Sequence, residues 1–160
     1  MTQDNCFEKS SWQNEVIFPD ALTLEVSQSY NFPIETVYTA LLASGVIAAF
    51  DVSKGELCVG NKWYDSIVSP DGNLCEFFGE YLEITPPTKI SQTWHFAGWS
   101  GVEAVLDTEL QTMNEQTTRL SFRYTFRTEE GRAHMIRTDG IEDDLNKIAN
   151  YLEKIEKDNS

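Results

Sequence analysis

Basic residues are scarce in this chain of 160: twelve lysines and arginines stand against twenty-six aspartates and glutamates, for a formal charge of −14. A surface of that sign repels phosphate backbones and anionic lipid headgroups, so neither nucleic acid nor a membrane is an expected partner. Cysteine is sparse as well. Cys6, Cys58 and Cys75 are odd in number and form no C-x-x-C pair, which argues against a disulfide framework or a zinc ribbon and suits a reducing compartment. His95 and His134 are the only histidines, and their spacing asks for no metal. No apolar run approaches the roughly 20 residues of a membrane span. Met1 to Ser11 lacks the basic-then-apolar layout of a signal peptide, so the expected location is the cytoplasm. Phosphate-cradling glycine loops and a G-x-S-x-G elbow are also missing, so no cofactor and no catalytic nucleophile is indicated.

What is present is a globular composition, 41% hydrophobic and 12% aromatic, at a length that fits one domain. Residues 1–20 are polar around Trp12 and a Val16-Ile17-Phe18 cluster, and read as an extension whose cluster pins it to a domain spanning 21–158. Leu22, Leu24 and Val26 alternate with polar residues in a first strand that ends near Tyr30. Pro33 and Glu35 then open a helix over about 33–43, with Ile34, Val37, Tyr38, Leu41 and Leu42 on one face. Ser44 caps a second short helical piece through Val46, Ile47 and Ala49.

A meander of strands follows, over about 56–59, 62–68, 74–84, 89–96, 101–111 and 117–127. Its turns carry their own chemistry: Ser69-Pro70-Asp71-Gly72-Asn73, Thr85-Pro86-Pro87-Thr88 and Asn114-Glu115-Gln116, with Glu129-Glu130-Gly131 ending the last strand. Finally Ile141, Leu145, Ile148, Leu152 and Ile155 recur at spacings of four and three, the stripe of an amphipathic helix, with Asp139 and Glu142 as a capping box and the start possible a few residues earlier. Strands segregated from helices in this order indicate an α+β fold with an antiparallel sheet.

The opening strand with Phe32-Pro33-Ile34-Glu35-Thr36-Val37-Tyr38, the run Gly79-Glu80-Tyr81-Leu82-Glu83-Ile84-Thr85-Pro86-Pro87 followed by Thr93-Trp94, and the end from Gly140-Ile141 to Tyr151-Leu152 resemble the START-like (SRPBCC) helix-grip superfamily. Within it they are most similar to the branch of the C-terminal domain of the activator of the ninety-kilodalton heat-shock protein ATPase. The chain departs from that pattern at Gly140-Ile141, where the family often has Gly-Trp, and at Phe50, where a tryptophan-rich turn is common. The resemblance implies a curved antiparallel sheet wrapped around a long C-terminal helix, two short helices after the first strand, and in many members a ligand cavity between sheet and helix. It implies no single activity, since the superfamily spans carriers, cyclases, receptors and co-chaperone modules.

Aromatic residues at strand positions are the candidate ligand-binding residues: Trp63, Phe78, Trp94, Phe96, Phe122, Tyr124 and Phe126. They serve equally well as ordinary core, each worth roughly 1.5–3 kcal/mol on burial. Glu80 shares parity with Phe78 and Leu82, and an inward carboxylate there would need a partner or hold a proton. His134 precedes the closing helix, near the expected mouth of a pocket. Glu80, Tyr124 and His134 are therefore the polar anchors. The acidic residues Asp139, Glu142, Asp143 and Asp144 suit the positive end of a helix.

These residues lead to three expectations. The first is a non-enzymatic domain binding a small apolar or amphipathic molecule beneath the C-terminal helix. The second is a chaperone or other protein-interaction module. The third is a polyketide cyclase or hydrolase-like enzyme using Glu80, His134 and tyrosines.

Overall fold

A computed structural model of the protein describes residues 14–44, 46, 58–69, 71–138 and 141–158. Alternation fixes the register most clearly in β7 (Thr117–Phe126), where Leu120, Phe122, Tyr124 and Phe126 are buried while Arg123 and Thr125 face solvent. On one side β7 pairs antiparallel with β2 (Thr23–Tyr30), and on the other with β6 (Ala104–Asn114). Strands β5 (Lys89–Phe96), β4 (Leu74–Thr85) and β3 (Lys62–Val68) continue the sheet, and β1 (Asn14–Ile17) lies outside β2. Among the described residues the order is β1-β2-β7-β6-β5-β4-β3, antiparallel throughout. The sheet thus begins inside the stretch that composition sets apart as an extension, and Arg119 of β7 reaches across β2 to pair with Glu15.

One face of the sheet carries the helices. Helix α1 (Ile34–Ala43) starts at Pro33, has Glu35 in its first turn, and buries Val37, Ala40 and Leu41. Helix α3 (Ile141–Asp158) buries Leu145, Ile148 and Leu152 of the predicted stripe, with Ala149 beside them, and packs on α1. Tyr30 Oη donates to the Leu145 carbonyl at 3.3 Å, tying α3 to β2. This is the expected α+β helix-grip architecture. The expected second helical piece after Ser44 lies, apart from Val46, outside the described residues, as does Asp139.

Strand bounds, the place of Glu129 to Gly131, and the facing of β4 differ from expectation. Strand β6 runs three residues later than predicted; of the strand predicted over 56–59, Cys58 precedes and Val59 joins a turn with Gly60, while residues 56 and 57 lie outside the described residues. Glu129, Glu130 and Gly131 do not end a strand; they open helix α2 (Glu129–Thr138), with Thr128 Oγ1 accepting the Gly131 N–H at 3.0 Å.

The third difference changes the site. Phe78, Glu80 and Leu82 face outward, and Phe77 and Tyr81 are the buried residues of β4. A register shift between Tyr81 and Glu83 is the cause: Tyr81 pairs with Gln92 and Ile84 with Ile90, so one extra residue reverses the alternation. Phe78 and Leu82, whose parity Glu80 shares, themselves face outward, and Glu80 goes with them.

Candidate functional site

The concave face of the sheet is more polar than its aromatic content suggests. Gln92 and Thr108 occupy the inward phase of β5 and β6, beside Ile90, Trp94, Leu106 and Leu110, and are 3% and 0% exposed. Trp63, Trp94, Leu106, Phe122 and Tyr124 join them around a chamber of about 30 Å³, with Asp65 from β3, Asp144 from α3 and Val46 completing the wall. That volume holds one water-sized group.

Two residues of the chamber wall each carry a buried hydrogen-bonding atom without a partner among the described residues: Trp94 at its indole Nε1 and Thr108 at Oγ1. Leaving such a group unsatisfied costs about 1–3 kcal/mol, so a core optimised only for stability would not place them here. Burial raises the Tyr124 phenol above its ordinary pKa, and the Asp144 charge raises it further, so the hydroxyl keeps its proton.

The aromatic rings form a continuous train leading away from the chamber. Trp63 and Trp94 have centroids 4.8 Å apart, Phe77 lies 5.0 Å from Trp94, and Phe96 lies 5.8 Å from Phe77. Phe96 in turn meets Trp99 at 5.2 Å and His134 of α2 at 4.7 Å. Burial, aided by the neighbouring charge of Arg137, holds the His134 imidazole below its usual pKa.

The expected ligand-binding residues therefore separate into four places. Trp63, Trp94, Phe122 and Tyr124 line the chamber, while Phe96 and Phe126 are core behind it. His134 opens onto a different cleft of about 440 Å³ between α2 and the β3–β4 turn, bordered by Ser69, Asp71, Cys75 and Arg137. Phe78 and Glu80 sit on the outer face, where Phe78 stacks on His95 at 4.9 Å and pairs across strands with Tyr64. Glu80, Tyr124 and His134 therefore lie in three separate places and do not converge.

Sequence reasoning missed Gln92, Thr108, Asp65 and Asp144. Gln92 and Thr108 were detectable as polar residues in the inward phase of strands whose other inward positions are largely apolar. Asp144 sits in the chamber wall as well as near the start of α3.

The sequence pattern of the family described as activator of Hsp90 ATPase homolog 1-like protein matches residues 31–153. The chain belongs to that family. No curated protein matches it. Solved structures with the same fold include protein Ms6760 from Mycobacterium smegmatis, 16% identical with a TM-score of 0.67 over 88% of this chain and 94% of that one. Protein NE0264 from Nitrosomonas europaea is 19% identical, with a TM-score of 0.63 over 88% and 99%. Protein CV1439 from Chromobacterium violaceum is 22% identical, with a TM-score of 0.61 over 82% and 96%. Among the described residues of this family member, no helix is long and apolar enough to cross a membrane.

Proposed function

We propose that the protein is a non-enzymatic binding domain for a small neutral molecule that carries a hydroxyl or carbonyl group on an apolar body. The observation behind this reading is the pair of unpartnered atoms, Trp94 Nε1 and Thr108 Oγ1, on two residues of the chamber wall. The indole N–H only donates, whereas the threonine hydroxyl both donates and accepts, so a hydroxyl or carbonyl oxygen suits either. The chamber's size admits that polar tip and no more. Asp65 and Asp144 disfavour a carboxylate ligand by like-charge repulsion.

Tryptophan fluorescence during titration with phenol, toluene and benzoate tests the reading. Phenol is expected to bind best. Thr108→Val is expected to weaken phenol binding about tenfold while raising the stability of the free protein by about 1 kcal/mol, since it removes an unsatisfied hydroxyl at constant shape. Equal binding of toluene and phenol would exclude the proposed recognition.

The outer face favours a second reading, that of a protein-interaction module. Tyr64, Phe78 and Leu82 are 50%, 41% and 47% exposed there, on neighbouring strands beside Glu76 and Glu80. Titration against a purified ninety-kilodalton heat-shock protein, with Phe78→Ser as the control variant, separates the two. Binding abolished by that change supports the module, and no binding at low salt removes the chaperone as partner.

A further inference from the structure

The outer face of the sheet, away from the helices, changes character from one strand to the next. On β6 and β7 its side chains include Asp107, Glu109, Arg119 and Arg123, in the phase opposite to the buried Leu106, Leu110, Leu120 and Phe122. On β3 and β4 two cross-strand pairs put large apolar groups into solvent instead: Val68 opposite Leu74, 68% and 64% exposed, and Tyr64 opposite Phe78. Leu82 extends the row along β4. From Leu74 to Leu82 the row runs roughly 26 Å, at about 3.3 Å per residue. Exposed apolar groups gathered on neighbouring strands mark an interaction site, whereas single scattered ones do not. The row lies on the side away from the concave face, so it encloses no small ligand and suits a protein segment of comparable length.

Glu76 stands inside this row, between Leu74 and Phe78 on the same face of β4. Tyr64 Oη donates to Glu76 Oε2 at 2.7 Å, which fixes the carboxylate against the apolar groups. Among the described residues no lysine or arginine pairs with it. The acids farther along β4 are answered within the sheet: Glu83 lies 3.5 Å from Lys89, and Glu80 stands opposite Lys62. Glu76 therefore presents an unanswered negative charge in the middle of an apolar strip.

We propose that this face docks a protein segment carrying one lysine or arginine between apolar side chains, the cation meeting Glu76 and the apolar groups covering Val68 and Leu74 on one side and Tyr64 and Phe78 on the other. The assignment rests on the interaction-module reading above and specifies what such a partner presents. Charge separates the possible occupants. A second copy of the chain would bring a further formal charge of −14 and an identical Glu76, so like charges oppose it, whereas a basic segment is attracted to the acidic chain and neutralises Glu76 on docking. Apolar contacts on both sides exclude water from that pair, which strengthens a charge-assisted hydrogen bond.

The probes are acetylated, amidated peptides of alternating threonine and valine in which the central valine is replaced by arginine, glutamine or glutamate, so that the replaced residue shares a face with its valines. Binding is read through the backbone amide resonances of Glu76 and Phe78 in the full chain. The arginine peptide is expected to shift them saturably, and the glutamate peptide to bind about tenfold more weakly or worse. Glu76→Gln, an exchange that keeps an acceptor for Tyr64, is expected to bring the arginine and glutamine peptides to about equal affinity. Leu74→Ser, at an exposed position, is expected to weaken all three by severalfold.

Equal affinity of the arginine and glutamate peptides for the unaltered chain would overturn the basic partner while leaving the interaction module standing. Unmoved Glu76 and Phe78 resonances with every peptide would remove the docking face and the module together. A concentration-dependent dimer that Leu74→Ser abolishes would assign the row to a second copy of the chain, and would overturn the proposal as well.

Discussion

The indole of Trp63 donates its Nε1–H to the main-chain carbonyl of Thr93 at 3.0 Å, reaching from β3 across β4 to β5. The residue of β4 opposite Trp63 is Gly79. A methyl group on Gly79 would lie 1.9 Å from the same carbonyl oxygen. The missing side chain is what lets the Thr93 carbonyl turn toward the indole. Thr93 compensates the ladder with its hydroxyl, which accepts the Glu80 N–H at 3.0 Å. One wall of the chamber is therefore held by a tryptophan that spans a whole strand.

Gly79→Ala is expected to destabilise the protein by about 2–3 kcal/mol, because backbone and not a flexible side chain stands in the way. Urea unfolding measures the loss. The Trp63 indole resonance should shift in the same variant, and Glu80→Ala next door, on the exposed face, should leave both readings close to wild type.

Ile148→Ala is expected to cost about 3 kcal/mol, as Ile148 is fully buried among Leu145, Ala149 and Leu152 on the gripped face of α3. Denaturation midpoints compared with those of Glu153→Ala, on the exposed side of the helix, check that the stripe and not helix propensity carries the stability.

The lowered pKa of His134 sets a pH dependence. Above about pH 6.5 the imidazole is neutral in folded and unfolded chains alike, and it adds no slope. As the pH falls below that value the unfolded chain takes up the proton first, so stability declines until the folded pKa is passed. The urea midpoint is expected to drop between pH 7.5 and 5.5, and to drop less in His134→Gln. Equal drops would show that another group is responsible.

The architecture was legible because its markers are local. The stripe through Leu145, Ile148 and Leu152 and the alternation of Phe122, Tyr124 and Phe126 each specify a face without reference to the rest of the chain. Strand β4 was not legible, since Phe77 and Phe78 are adjacent aromatics and the phase between them is decided by a bulge five residues on. Helix α2 was hidden by its polarity and by Gly131. Its only signals were Thr128 with Glu129 and Glu130 at one end and Arg137 at the other.

The candidate site was half visible. Its aromatic walls followed from composition and parity, but its polar tips depend on which inward atoms find partners across strands.

The pairing of β2 with β7 joins residues about a hundred positions apart. During synthesis the second strand must wait unpaired on that side until the last has emerged, and the closing helix follows later still. Closure of this domain is consequently a late event on the ribosome, slow by the measure of contact order, and the waiting strand is the segment most exposed to misassociation with neighbouring nascent chains.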